Sequence, residues 1–474
     1  MMGIIRKMPA MHDSACPPSA PATRSAIDAL DRLAGLTHLV SVEAVQLALR
    51  DTRRQNSRRC RLTHEVTTWV LLAMGLLTDL PIRSVFQHAR RLVVGSRIPT
   101  RSALCQARRR LGIAPLRALF SRVVRPLVDD QTPGATMGGL RWMAIDGTRL
   151  NVPDTPANEK AFGRPRGGRG EGAFPQLHKV SLVELGSRAE LAFQVKPGRR
   201  NEAVIAHALV RHLRPDMLLL ADREFYSFAL WNRCVTRGCQ LLWRLRSNIV
   251  LTPIQVLDDG SFLARIYASP DDRRDGRGGV VVRVVRYAVD DPAYPESGRT
   301  QTLITTLFDV EAFPAVDLIL GYHQRWEQEA MYDEQKTHHD PVRAGKPAQL
   351  RSGTPAGAVQ ELYALSLGHY GTQALRVAAA RAHAVDPDRI SFTATLRVLR
   401  CRLPECDARS EESFAAWWKG LLWEIGQERV EPRRPRVNPR VVKQQVSNYG
   451  KKHPHHRGQP SGRQPFLESV VMTI

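Results

Sequence analysis

Two short apolar runs in this chain each end on an aspartate. Leu140-Arg-Trp-Met-Ala-Ile145 leads into Asp146-Gly-Thr148, and Met217-Leu-Leu-Leu-Ala221 leads into Asp222. Carboxylates at strand ends stand where a mixed sheet presents side chains to ligands, although each aspartate, taken singly, reads more simply as a strand-end cap or turn residue. A third segment, Gly321-Tyr-His-Gln-Arg-Trp-Glu-Gln-Glu-Ala-Met-Tyr-Asp-Glu-Gln-Lys336, has a helical pattern. At about 100° per residue, Tyr322, Arg325, Glu329 and Lys336 fall in a stripe about 60° wide, so one face offers a phenol, a guanidinium, a carboxylate and an ammonium. Arg325 and Glu329 also have the i,i+4 spacing of an ordinary ion pair on a solvated face. Glu327 and Glu334 leave the stripe and are set aside. Two strand-end carboxylates and one from a helix form a donor set that can hold a pair of divalent cations ~3.5–4 Å apart for phosphodiester cleavage. Magnesium suits such oxygen ligands.

The elements that must position these groups can be read from periodicity. Residues 25–129 are helical throughout. Within them Arg101-Ser-Ala-Leu-Cys-Gln-Ala-Arg-Arg-Arg-Leu-Gly112 follows a Thr cap and stops at Gly; its arginines, among them Arg101, Arg108 and Arg109, suit either a groove-reading helix or a solvated amphipathic one. From residue 140 the period becomes strand-like. Strands at 140–145, 179–184 and 190–196, the last two a hairpin about Gly186, are followed by a helix (202–213), a strand (217–221), a helix (225–237) and a strand (240–246). This predicts an α/β mixed sheet with helices on its faces. Between 248 and 307 the helical period vanishes and runs at 249–256, 262–266, 279–289 and 300–307 predict an antiparallel β insertion. A long helical stretch over 313–338 follows, then helices over 356–384 and 392–399. The expected divisions are a disordered start (1–24), a helical DNA-binding domain (25–135), the first part of the core (136–247), the insertion (248–310), the second part of the core (311–400), and a last helix with a basic tail (401–474). The tail at 432–457 carries eight Lys or Arg, three His (His453, His455 and His456) and no acid; it cannot form a core.

Composition narrows the partner. The 474 residues predict about three domains. Sixty-nine Lys and Arg against 46 Asp and Glu give a formal charge of +23. That points to a polyanion, nucleic acid first, against the plainer alternative of a basic protein from an Arg-rich proteome. Seven cysteines without zinc-knuckle spacing read as reduced thiols in a cytoplasmic protein. No secretion signal precedes residue 24, and the longest apolar run, 69–77, is about half a membrane span and reads as a core helix.

Ala144-Ile-Asp-Gly-Thr148, Leu220-Ala-Asp-Arg-Glu-Phe-Tyr226 and the Tyr322, Arg325, Glu329, Lys336 spacing together resemble the insertion-sequence-four family of DDE transposases, whose Tyr-x2-Arg-x3-Glu-x6-Lys pattern is matched at every position. The region 37–128 is similar to the N-terminal domain of many members. The resemblance implies an RNase H-like core, a mixed five-stranded sheet flanked by helices, with a β insertion before the third acid and an all-helical N-terminal domain. It implies Asp146, Asp222 and Glu329 as catalytic acids and ligands of two Mg2+ ions, with Mn2+ as a substitute. It further implies DNA contacts from Tyr322, Arg325, Lys336 and Arg223, with Arg101, Arg108 and Arg109 as candidates on the basic helix. The partners implied are double-stranded DNA, as terminal inverted repeats and target, and a second copy of the chain on that DNA; the place of action is the cytoplasm, on the nucleoid, with no membrane. Some relatives free the element through a hairpin aided by an insertion aromatic, for which Phe262, Tyr267, Tyr287 and Phe308 are the rings here. An RNase H-like nuclease or resolvase without strand transfer, an inactive transposase-derived DNA-binding protein and a generic RNA-binding protein are the competing readings.

Overall fold

The structure, a computed structural model, describes residues 26–55, 60–90, 97–167, 170–172, 174–198, 200–291, 297–339, 350–407, 410–431 and 470–472. The first 24 residues and the basic tail at 432–457 lie outside them.

Five strands make the centre of the sheet: β1 (Leu140–Asn151), β2 (Gln176–Glu184), β3 (Ala189–Pro197), β4 (Met217–Ala221) and β5 (Gln240–Arg244). Their order is β3-β2-β1-β4-β5. β1, β4 and β5 run parallel, while β2 and β3 are antiparallel neighbours. The fold is therefore a mixed α/β, RNase H-like core. β4 is apolar and buried at all five positions, as a central parallel strand must be when both its faces are covered. The insertion comprises β6 (Gln255–Val256), β7 (Phe262–Ile266), β8 (Val280–Val289) and β9 (Gln301–Thr305). It is not a separate sheet: β9 pairs antiparallel with β5, so the order continues β5-β9-β8-β7-β6 without a break. A last strand, β10 (Val470–Met472), pairs with the end of β8.

Helices cover both faces. α6 (Glu202–Ala206) and α7 (Phe228–Val235) pack on one face with Ile145, Leu219, Leu241 and the insertion's Val284. α8 (Ala315–His323) packs on the other with Ala144, Leu220, Leu242 and Leu303. The expected helices 202–213 and 225–237 are thus shorter, the first giving way to a 3-10 turn at Val210–His212. The amino-terminal helices α1 (Val42–Asp51), α2 (His64–Leu76), α3 (Ile82–His88), α4 (Arg101–Leu111) and α5 (Ala114–Val123) share one core with the long helix α10 (Pro355–Ala382), α11 (Phe392–Arg402), α12 (Glu411–Gln427) and residues Leu150, Leu177 and Phe193 of the sheet. Secondary structure changes near residue 135; the core does not. α2 is buried along almost its whole length, and it approaches α10 so closely that a Cβ at Gly75 would overlap the Ala364 carbonyl. Among the described residues no helix is long and apolar enough to cross a membrane.

The stretch expected as one helix over 313–338 is α8, then α9 (Trp326–Asp333), then a π-turn at Glu334–His338. Arg325 N–H bonds to the Tyr322 carbonyl at 3.1 Å and Gln328 N–H to that of Arg325 at 3.0 Å, three residues back, while His339 N–H reaches Glu334, five back, at 2.7 Å. The helix is therefore tightened before Glu329 and loosened after it, so uniform 100° steps do not hold.

A buried clamp fixes this segment. Arg188, in the left-handed region at φ 57° in the β2–β3 turn, donates to Glu327 at 2.5 Å, Glu334 at 2.7 Å and Asp388 at 2.6 Å. Glu334 also receives His369 at 2.9 Å and Gln373 at 2.6 Å from α10. Burial would push the Glu334 carboxyl up, but Arg188, His369 and Arg376 win and hold it far below the carboxylate range.

Two outcomes follow. Gly75→Val should cost about 3 kcal/mol by forcing α2 from α10, read as a lowered midpoint in urea unfolding of the full chain. Arg188→Met should cost about 3–5 kcal/mol, because it removes the cation shared by three carboxylates, two of them buried. The native Glu334 value is depressed, so its stabilising contribution is full above the ordinary carboxylate value near 4.5 and fades as pH falls toward the native one. The gap between wild type and Arg188→Met should accordingly narrow between pH 6 and 3; a gap that widens on acidification would contradict the clamp.

Candidate active site

Parallel pairing of β1 with β4 ends at Ile145 opposite Ala221. The next residues are Asp146 and Asp222, so register alone sets them at the same level on neighbouring strands. Asp222 lies just past the end of β4, as expected. Asp146 does not end its strand: β1 continues to Asn151, its later half paired only with β2. The edge lies where β4 stops beside it, which no pattern within residues 140–151 reveals.

α8 and α9 cross this edge and are sewn to it. Tyr322 Oη donates to the Ala221 carbonyl at 3.4 Å, Gln328 Nε2 to that of Ser181 at 3.1 Å, and Tyr332 Oη to that of Asp146 at 2.7 Å. Lys336 Nζ donates to Thr148 Oγ1. The Arg325 guanidinium comes between Asp146, at 3.7 Å, and Glu329, at 3.8 Å. Its charge is held in place by Tyr322, Asp146, Asp222 and Glu329, which outweigh its burial. Two of the three predicted acids, Asp146 and Glu329, therefore flank one cation, and Asp222 adds its charge from the end of β4. Desolvation pushes Asp146 up to about 7, opposed by Arg325 and by the Gly147 N–H, and reinforced by the nearby negative charges of Glu202 and Glu329.

Several expected positions differ. Tyr322 is 5% exposed and packed in the α8 core, so it is a pin between helix and strand and not a solvent-facing DNA contact. Arg325 is buried among the acids and not displayed on a surface. Lys336, its ammonium pushed down to about 8 by burial and Lys179, reaches the Asp146–Thr148 edge from the π-turn. Arg108 donates to Gln360 at 3.3 Å, Ser352 at 3.1 Å and the Gly357 carbonyl at 2.9 Å; it docks α4 on α10 and is spent structurally. Arg101, Arg109 and Arg223 are exposed. Of the insertion rings, Phe262 and Tyr287 are core residues, Tyr267 is half-buried and Phe308 is exposed.

Other contributors carry no sequence signal of their own. Gln328, Tyr332 and the Arg188 clamp are ordinary residue types at unremarkable spacing. Lys179 and Glu190 form a fully buried pair at 2.6 Å on β2 and β3, where strand alternation shows only that two charges sit in strands. Glu202 and His178 pair at 2.8 Å next to Gly147. Among the described residues, no three His, Cys, Asp or Glu side chains close into a ready-made metal cluster; the guanidinium is interposed. The donor set nonetheless fits a hard cation, being three carboxylates of which two already face a shared positive group whose Nε, buried, has no hydrogen-bond partner.

Residues 30–121 match the family described as Insertion element 4 transposase N-terminal, and residues 138–349 match the Transposase DDE domain. The chain is 27% identical over 426 residues to the transposase InsG for insertion sequence element IS4 of Escherichia coli K12, covering 88% of this chain and 93% of that one. Among solved structures, a piggyBac transposase synaptic complex with hairpin DNA is similar at a TM-score of 0.39 and 11% identity, over 83% of this chain and 82% of that one. With both of its parts matched in order and the long alignment spanning them, the chain belongs to the DDE transposases of the insertion element 4 family.

Proposed function

We propose that this transposase cleaves DNA at the ends of an insertion sequence and joins the freed 3′ hydroxyl to target DNA, by phosphoryl transfer at a divalent-cation centre held by Asp146, Asp222 and Glu329. The observation that carries the reading is that Asp146 and Glu329 flank Arg325 at the edge where β4 ends, with Asp222 level with Asp146 on the neighbouring strand. Magnesium, with manganese as substitute, suits such donors; bound in a pair it supplies activation of the attacking oxygen and charge stabilisation at the leaving one. The chain's own residues do the positioning. Tyr322 and Tyr332 hold the helix segment that bears Glu329 on the carbonyls of Ala221 and Asp146. Arg325 and Lys336 are cations beside the acids and are assigned to the scissile phosphate, as charge-assisted donors. Exposed Arg101, Arg109 and Arg223 are assigned to flanking phosphates, which orient DNA without reading its sequence. Two copies acting together on paired ends, in the cytoplasm and on the nucleoid, complete the reading.

Purified protein, magnesium and a plasmid bearing the element's ends should give end-to-target joined products. Cleavage with no joined product would leave an RNase H-like nuclease or resolvase; full biological activity from Asp146→Asn would leave a non-catalytic DNA-binding protein. Alanine at Asp146, Asp222 or Glu329 should each lower cleavage by about a thousandfold or more, ~4 kcal/mol of barrier, while gel-shift binding of end DNA persists. Arg109→Ala should reduce the salt slope of DNA binding by about one, whereas Arg108→Ala should leave that slope intact and lower the melting temperature.

A further inference from the structure

A fourth carboxylate stands beside the three acids, unmarked by the strand ends or the helix pattern. Glu202 is the first residue of α6. A Cβ at position 147 would overlap its carboxyl group, so Gly147 opens the space into which Glu202 reaches, next to Asp146. An acid in a helix's first turn is ordinary. Here, however, Asn201 already caps the helix by accepting from Ala203 N–H at 2.8 Å, and the Glu202 side chain turns instead to His178. That histidine is buried, 1% exposed. Its Nδ1 is held at the Arg200 carbonyl and its Nε2 at Glu202 Oε1, each at 2.8 Å. Among the described residues Oε2 has no hydrogen bond.

The placement costs electrostatic energy as it stands, since a carboxylate brought to a desolvated Asp146 repels it. Glu202 is among the charges that push Asp146 up. A buried histidine and a glycine cradle hold the two acids together against that repulsion. The Arg325 guanidinium, nine-tenths buried with an unpartnered Nε, stands 3.7 Å from the same Asp146 carboxylate, which therefore already meets positive charge. We propose that Glu202 is a fourth acid of the centre, holding one of the divalent cations jointly with Asp146, its carboxylate aimed by His178. The inference rests on the cation-centre reading above and extends it to a residue outside the three-acid pattern.

The test is Mn2+ titration of the DNA-free, full-length protein, read by the electron paramagnetic resonance of free Mn2+, for wild type, Asp146→Asn, Glu202→Gln and His178→Asn. Glu202→Gln should weaken Mn2+ binding by about tenfold or more, and His178→Asn in the same direction, as loss of a carboxylate or of the group that orients it does at metal sites. Melting temperatures without Mn2+ should match wild type, which separates the effect from a loss of fold. Should Glu202→Gln fail to fold, Glu202→Asp, one methylene shorter, poses the same question and is expected to bind Mn2+ more weakly. Wild-type affinity in the Glu202 variant alongside a weakened Asp146→Asn overturns the fourth acid and leaves the three-acid centre standing. Unchanged affinity in both overturns both.

Discussion

Like charges must be gathered before this chain can act, and that repulsion is what the surrounding structure answers. Asp146, Asp222, Glu329 and Glu202 bring negative charge to one edge of a sheet, and burial pushes Asp146 up to about 7. Arg325 supplies the opposing charge from within. The rest is rigidity. A carboxylate that could retreat into solvent would do so, and the helix bearing Glu329 is prevented from retreating by tyrosine hydroxyls on strand carbonyls at one level and by the Arg188 clamp at another.

The clamp explains why Glu327 and Glu334 flank Glu329 without joining it. Three glutamates within eight residues of one helical segment would compete for the same cation if all faced the same way. The tight turn before Glu329 and the π-turn after it send Glu327 and Glu334 to Arg188, buried on the far side, and leave Glu329 at the edge. Arg188 serves all three partners from a turn whose left-handed backbone a side chain of its kind rarely adopts.

Much of this was legible in the sequence, because the signals involved are local. Apolar runs ending in Asp, the Thr cap and Gly stop of α4, and the alternation of the insertion strands each depend on neighbours in the chain, and the structure has the corresponding elements, save that of the expected run 249–256 only Gln255–Val256 is a strand. What escaped the reading was set by distant pairing. That Asp146 lies within a strand depends on β2 running past the end of β4. That Arg108 docks on α10 depends on a helix some 250 residues away, and α4 seen alone offers four equivalent arginines. The insertion's union with the core sheet is a matter of which edge β9 meets, and its residues would alternate identically in a free-standing sheet. Tyr322 fits its spacing motif yet faces inward, since spacing fixes an angle around the helix axis and not what lies opposite.

The union of β9 with β5 also bears on when the acids can come together. Residues 306–314 lead directly from β9 to α8, so the segment carrying Glu329 is delivered to the edge by a strand that must first find its partner some 60 residues earlier. Its seat is then locked by His369, Gln373 and Arg376, supplied by α10 still later in the chain. Such long-range pairings close slowly and late. On the ribosome, the two aspartates would have their strands long before the glutamate had its clamp, so a nascent chain halted before α10 carries every acid but lacks the His369, Gln373 and Arg376 that lock the last of them in place.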